Sequence, residues 1–428
     1  MGIWLIPILL LLMLIGLPIS FSIGITSLIG FILLDKLPFL SVIPQIMFSG
    51  LNSFPILAMP FFMLAGEIMN QAGITDRLIR LSGVFVGHLR GGLGHVNIVA
   101  SVFFAGITGS AVADTSSLGP LLIPAMEKDG YHRSYAAAIT AASSVIGPII
   151  PPSIIMVIYG SLMNVSIAGM FAAGLIPGIL IAISLMNVNY FISKKRNYPK
   201  RQLPTLGEFT KESLGGIIPL FMPIIILGGI LSGIFTPTEA SAVAVLYALV
   251  VGFIIYRTLT FKQLYNSLKA AFRLSGIVLI IVATGSVLAW LLAIDRIPEQ
   301  LAHLFIIIGG DNKYIILLII NIFLLIVGMF MDITAALIIL APILAPLAID
   351  VGINPLHFGV MMCINLNIGL ITPPLGAVLF VASSISKLKY EDVIREIWPF
   401  LVAEIIVLFL IAYVPEFTLL VPRYLGFN

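Results

Sequence analysis

The chain has 428 residues, of which 60% are hydrophobic and only 10% charged. Soluble domains carry roughly 25% charged residues, so a water-facing surface cannot be built from this composition, and lipid is the implied solvent. A net charge of +3 without a basic patch interleaved with aromatics excludes nucleic acid as a partner, and the single cysteine, Cys363, excludes an intrachain disulfide or a thiolate metal cluster.

In chain order, the N-terminus has no basic segment before its apolar run and no small-residue cleavage site after it, so it reads as a retained first span and not a signal peptide. A crossing helix needs about 20 apolar residues. Breaking the chain at charges and Pro/Gly clusters predicts spans at 2–19, 21–38, 54–72, 133–160 and 165–192. A linker at 193–215 follows, holding Lys194, Lys195, Arg196, Lys200, Arg201 and Lys211. Spans resume at 216–234, 237–256, 273–294, 355–385 and 397–414. Two more apolar stretches, about 96–128 and 314–350, are interrupted midway by polar residues and read as re-entrant hairpins. The segment 73–94 places Arg77, Arg80 and Arg90 beside Leu78, Leu81 and Phe85, as in a helix lying on the membrane surface, and 295–305 is its expected counterpart. The two arms either brace a fixed scaffold or simply anchor at the interface.

This topology predicts sidedness. With the linker in the cytoplasm, 18 of the 22 Lys and Arg residues fall on cytoplasmic segments, and only Lys36, Arg296, Lys313 and Arg423 fall outside. That bias is the positive-inside pattern. It places both termini in the periplasm of an inner-membrane protein.

The two halves also align with each other. An offset of 222 residues brings Gly106 onto Gly328, Pro120 onto Pro342, Pro124 onto Pro346, Gly147 onto Gly369, Pro151-Pro152 onto Pro373-Pro374 and Pro177 onto Pro399. A shared register of Gly and Pro carries backbone meaning. Each half, 1–192 and 216–428, has five crossings and one hairpin, an odd number, so the second must be inverted relative to the first. The fold class is therefore an all-α polytopic membrane protein of two inverted repeats, an arrangement that in secondary transporters surrounds a midplane site.

Irregular backbone at lipid depth is tolerated only where it lines a protein-enclosed or wet cavity. Four such places stand out. Two are hairpin tips, Gly109-Ser-Ala-Val-Ala-Asp-Thr-Ser-Ser117 and Gly328-Met-Phe-Met-Asp-Ile-Thr334. Two are helix breaks, Ser143-Ser-Val-Ile-Gly-Pro-Ile-Ile-Pro-Pro-Ser153 and Asn365-Leu-Asn-Ile-Gly-Leu-Ile-Thr-Pro-Pro374. Double prolines lack N–H donors and oppose helix upstream. They leave carbonyls that suit a hard cation such as Na⁺, while helix N-termini at the tips suit an anion. Hydroxyls and amides cluster there, including Ser110, Thr115, Ser116, Ser144, Ser153, Thr334, Asn365, Asn367 and Thr372. The alternative for each is a bond to its own backbone. The ionisable residues expected at membrane depth, away from the ends of the spans and hairpins, are few: Glu67, Asp114, Glu239 and Asp332, with Glu404 read as nearer an end. Charge at this depth is costly and so points to function. Asp114 and Asp332 at the tips are the candidates, with helix capping as the other possibility, whereas Glu67 and Glu239 suit structural or interface roles. His88, His95, His132, His303 and His357 do not fall at metal-ligand spacing.

At these residues the chain resembles the large membrane subunit of tripartite ATP-independent periplasmic (TRAP) transporters. The carrying stretches are Met59-Pro-Phe-Phe-Met-Leu-Ala-Gly-Glu67, Gly91-Gly-Leu-Gly94, Gly109-Ser-Ala-Val-Ala-Asp-Thr115, Gly147-Pro-Ile-Ile-Pro-Pro-Ser153 and Phe235-Thr-Pro-Thr-Glu-Ala-Ser241, and the likeness covers essentially the whole chain. The resemblance implies Na⁺-driven uptake of an organic acid, such as sialic acid, a four-carbon dicarboxylate or another sugar acid. A periplasmic substrate-binding protein would deliver it. A separate small membrane subunit of four helices would pack alongside, and the hairpin-bearing core would move as an elevator against a scaffold. It further implies one Na⁺ site at Gly106, Ser110, Gly147, Ile150 and Ser153, and a second at Gly328, Asp332, Gly369, Thr372 and Leu375. Substrate would lie near Ser110, Ser116 and Asp332. The second tip departs from the first, with Met331-Asp-Ile-Thr334 where Gly-Ser-Ala would be expected.

Three other functions compete. A stand-alone Na⁺/carboxylate symporter would need no binding protein. An intramembrane aspartyl protease using Asp114 and Asp332 would need Gly-x-Gly-Asp and Tyr-Asp motifs, which the sequence lacks. A channel conflicts with inverted halves and closed tips. The expectation is a transporter and not an enzyme.

Overall fold

The structure is a computed structural model that describes residues 4–297, 300 and 312–427. It is all-helical, and among the described residues the only β-type pairing is an isolated bridge between Arg90 and Lys200. Helix is forced where lipid offers the backbone no partners. Seven helices among the described residues are long and apolar enough to cross a membrane, or up to eight when one bent pair is counted as a span.

The first two helices are shorter than predicted. Helix α1 (Leu5–Leu14) stops where Gly16 turns left-handed at φ +91°, and α2 (Ile19–Leu33) begins after Pro18. The predicted span 54–72 is the second limb of a pair, Leu37–Leu51 and Phe54–Gln71, bent by 64°. Its regular helices are α3 (Ile43–Leu51) and α4 (Ala58–Gln71). The segment expected to form a surface arm contains α5 (Ile74–Val86), which buries Ile74, Leu78 and Leu81. Its basic side chains are tied to neighbours, Arg77 lying 3.7 Å from the Tyr256 ring centroid and Arg80 pairing with Glu212 at 3.2 Å. The counterpart arm at 295–305 falls mostly outside the described residues.

The first hairpin is α6 (Gly92–Thr108) and α7 (Ala111–Lys128), joined through Gly109 and Ser110. The first predicted broken helix is α8 (Arg133–Ser144) and α9 (Ile154–Met163). Helix α10 (Ile167–Lys195) runs into the predicted linker, and α11 (Leu206–Leu231) starts inside it, leaving only 196–205 between them. Then follow α12 (Pro237–Val250), α13 (Phe261–Ile294), the second hairpin α14 (Lys313–Phe330) and α15 (Ile333–Asp350), and the second broken helix α16 (Pro355–Gly369) and α17 (Ala377–Ser386). The chain closes with α18 (Tyr390–Tyr413) and α19 (Glu416–Tyr424).

Local chemistry sets several of these starts. Thr205/Glu208, Thr236/Glu239 and Thr260/Gln263 form reciprocal capping boxes at the N-termini of α11, α12 and α13. Glu239 thus has the structural role expected of it, as an exposed capping residue of α12.

Packing does not follow the sequence halves. Helix α4 of the first half packs on α12 and α13 of the second, and α13 also covers α2 and α3. In the other group α7 packs on α17, α8 on α18, and α10 on α16, α18 and α19. The groups meet where α13 packs on α15 and α6 on α4.

The linker is clamped at its start. Tyr198 is 5% exposed, with its ring centroid 4.2 Å from Tyr131 and 5.3 Å from Tyr135. Arg196 pairs with Glu396 at 2.9 Å, and Gly91 N–H donates to Pro199 O at 3.1 Å. Truncating a buried aromatic side chain typically costs about 3–5 kcal/mol. Tyr198→Ala is therefore expected to lower the thermal midpoint of the purified protein by several degrees, whereas truncation of the exposed Leu203 leaves it unchanged.

Candidate functional site

Each hairpin tip is pressed against the helix break of its own half. At the first tip Gly109 takes the left-handed conformation at φ +59°, which ends α6, and Ser110 caps α7 by accepting from Ala113 N–H at 3.4 Å. There is no room for a side chain: a Cβ on Gly109 would stand 2.8 Å from Pro152 O and 3.4 Å from Ser153 Cα. Reciprocally, a Cβ on Gly147 would stand 3.5 Å from the Ser110 carbonyl carbon and oxygen. Pro151 O lies 3.7 Å from the Cβ position of Gly106. The break's carbonyls thus face the end of α6 and the tip.

The structure therefore brings together Gly106, Ser110, Gly147 and Ser153. Ile150 lies in the same break, and its side chain packs toward Gly178 on α10. Ser153 is fully buried, caps α9 by accepting from Met156 N–H at 3.3 Å, and donates to Pro148 O at 2.5 Å. Because Pro148, Pro151 and Pro152 have no N–H, this stretch is rich in acceptors and poor in donors. The buried Thr108 hydroxyl beside it has no partner. A site made of carbonyl and hydroxyl oxygens fits a hard cation better than any transition metal. Among the described residues no group of three His, Cys, Asp or Glu side chains is placed to hold a metal.

The second tip meets its break even more closely. A Cβ on Gly369 would lie 2.5–2.7 Å from the Gly328 backbone. Thr372 hydroxyl donates to Ile368 O at 2.7 Å, and Gly376, at φ +54°, brings the Leu370 and Thr372 carbonyls within 3.0 and 3.2 Å of its Cβ position. Asp332 is exposed and caps α15 by accepting from Thr334 N–H at 2.9 Å. Leu375 is 38% exposed. Its carbonyl and that of Pro374 both accept from the Tyr390 hydroxyl, the latter at 2.9 Å. Tyr390 was invisible to sequence reasoning, because it opens α18, 15 residues from Leu375, without any motif.

Ser116 is exposed on the second turn of α7, beyond Ser110. Among the described residues no hydrogen bond joins the two tips, since those of Ser110 and Asp332 are local caps.

Asp114 is fully buried and neither carboxyl oxygen has a hydrogen-bond partner. Beside it runs a buried polar chain that sequence reasoning largely missed. Asn97 donates to Thr140 at 2.6 Å, Ser143 donates to Asn97 Oδ1 at 3.1 Å, and the Ser101 hydroxyl donates to Ser143 at 3.1 Å. The second half has a shorter counterpart in which Asn365 donates to Asn321 Oδ1 at 2.8 Å and Asn321 O at 3.0 Å. Asn97 and Asn321 are lone amides in apolar helices, and that is the only signal by which the sequence marks them.

Comparison with known proteins now decides the family. The family description "Tripartite ATP-independent periplasmic transporter, DctM component" matches residues 6–417. The chain belongs to this family. It is a large permease of a TRAP transporter, a multi-pass membrane transporter and not an enzyme. It is 44% identical to the sialic acid TRAP transporter large permease protein SiaM of Vibrio cholerae, over 96% of each chain. It is 40% identical to the 2,3-diketo-L-gulonate TRAP transporter large permease protein YiaN of Escherichia coli, over 95% of each chain. The crystal structure of the YdaH transporter of Alcanivorax borkumensis matches with a TM-score of 0.65 over 92% of this chain and 89% of that one. At 13% identity that likeness speaks for the fold alone.

Proposed function

We propose that this permease imports an organic acid, in the sugar-acid class, by coupling it to Na⁺ at two sites where the hairpin tips meet the helix breaks. A periplasmic binding protein delivers the acid and a small membrane subunit packs alongside. The observation that carries this reading is the seating of acceptor-rich, proline-interrupted backbone on glycine-opened tips, without an Arg or Lys in a predicted span core to pair with a carboxylate. Bound Na⁺ and the N-termini of α7 and α15 take over the missing counter-charge, so ion and acid bind cooperatively. The first site uses Gly106, Ser110, Gly147, Ile150 and Ser153, the second Gly328, Asp332, Gly369, Thr372 and Leu375, and the acid lies by Ser110, Ser116 and Asp332. Two relatives named for sugar acids support the substrate class.

The two halves are read as inverted repeats in an inner membrane, with the linker cytoplasmic and both termini periplasmic. The hairpin-bearing group moves as an elevator against the group built on α4, α12 and α13. Support comes from the offset of 222 residues, which carries one tip, one break and one Pro-Pro pair onto the other, and from the cation bias.

Reconstituted vesicles holding the permease, its small subunit and its binding protein test the coupling. An inward Na⁺ gradient is expected to drive accumulation, and replacing Na⁺ by choline or omitting the binding protein to abolish it. Full uptake in choline would end the Na⁺ reading.

A further inference from the structure

Two side chains among the described residues have both carboxyl oxygens buried and unbonded, Asp114 and Glu404. Asp114 lies at the first hairpin tip, within the candidate site. Glu404 does not. It sits on the buried face of α18 together with Phe400, Leu401, Val407, Leu408 and Ile411. These positions recur every three to four residues, so Glu404 occupies the middle of an otherwise apolar stripe. One turn before it Phe400 packs on Tyr135, with centroids 5.7 Å apart, and two turns after it Ala412 O lies 3.2 Å from His357 Nε2. Helix α18 packs against α8, α10, α16 and α17. The ionisable residues on those helices are Arg133 and Tyr135, then Tyr190, Lys194 and Lys195, then His357 and Cys363, with none on α17. None of them bonds to Glu404, whose oxygens meet neither donor nor cation.

A carboxylate in that setting lacks everything that stabilises its charge. A position serving packing alone is filled better by leucine or methionine. What glutamate adds is a single O–H bond that can form and break. We propose that Glu404 is a proton-binding site of the permease. It is protonated and neutral in the packing described here, and it gives its proton to water only in a conformation that hydrates the seam between α18 and its neighbours. The step makes and breaks nothing but the carboxyl O–H bond. The proposal deepens the transport reading, because a site that exchanges its proton once per conformational cycle makes uptake depend on pH.

Two measurements on the full transporter in vesicles test it. Dicyclohexylcarbodiimide, an apolar reagent for protonated carboxyls, is expected to label wild-type protein at Glu404, located by mass spectrometry of the peptides, and not to label Glu404→Gln. This readout needs no transport, so failure of the Na⁺ reading leaves it intact. The pH dependence of uptake is expected to flatten in Glu404→Gln, which keeps the neutral shape, and to shift without vanishing in Glu404→Asp. Absence of label at Glu404, or a Glu404→Gln pH profile superimposable on wild type, overturns the proposal.

Discussion

Gly369→Ala is expected to lower uptake sharply while the protein still inserts and folds. The added methyl would stand 2.5–2.7 Å from three backbone atoms of Gly328, and backbone cannot step aside as a flexible side chain can. The second tip and its break must separate by several tenths of an ångström, which withdraws the Gly328 end of the site from the Gly369 end. Overpacking of this kind costs about 1–3 kcal/mol, which at about 1.4 kcal/mol per decade is roughly a five- to hundredfold loss of activity. Gly109→Ala is expected to behave alike at the first tip, with the added burden of φ +59° and Pro152 O at 2.8 Å. Gly276→Ala is the control: it lies inside α13 with nothing within 4 Å of its Cβ position, so it should leave uptake unchanged and stabilise the helix slightly. Equal uptake by Gly369→Ala and Gly276→Ala would show that close seating of tip on break is irrelevant to transport.

Asp332→Asn separates capping from ion binding. Asp332 accepts from Thr334 N–H and caps α15, and asparagine caps a helix about as well as aspartate. If the carboxylate also serves a cation, asparagine keeps the helix and loses the charge. Charge-assisted interactions are worth about 1.5–3 kcal/mol, so the Na⁺ concentration for half-maximal uptake should rise at least tenfold in Asp332→Asn, with thermal stability unchanged. Asp332→Ala loses both roles and should fall in stability as well. An asparagine variant with wild-type Na⁺ dependence would reduce Asp332 to a cap and withdraw it from the second site.

Glu239 and Glu404 differ in how far the sequence alone determines the setting of an acid. Glu239 lies in an apolar neighbourhood of the sequence, yet the structure puts it at the exposed N-terminus of α12. Its Thr-Pro-Thr-Glu spelling is a capping box, so the information was present and local. Glu404 stands eighth among the 18 residues of the predicted span 397–414, and the structure buries it completely on α18. That depends on which helices cover it, and no local pattern encodes it.

The same division runs through the whole molecule. Composition determined the solvent, and the Gly and Pro register determined that there would be two tips and two breaks, because a missing N–H or Cβ acts on the backbone where it stands. Those statements concern one residue and its chain neighbours, and sequence suffices for them. Only the tertiary structure decided that each tip seats on its own break, that α4 packs across the halves onto α12 and α13, that Asn97, Ser143 and Ser101 form one chain, and that Tyr390 reaches the Leu375 carbonyl. Each of these is a contact between residues far apart in the chain. In lipid every helix is apolar on most faces, so hydrophobic patterning cannot say which neighbour a face will meet; the choice is made by close packing of small residues and by the few polar groups that must find one another.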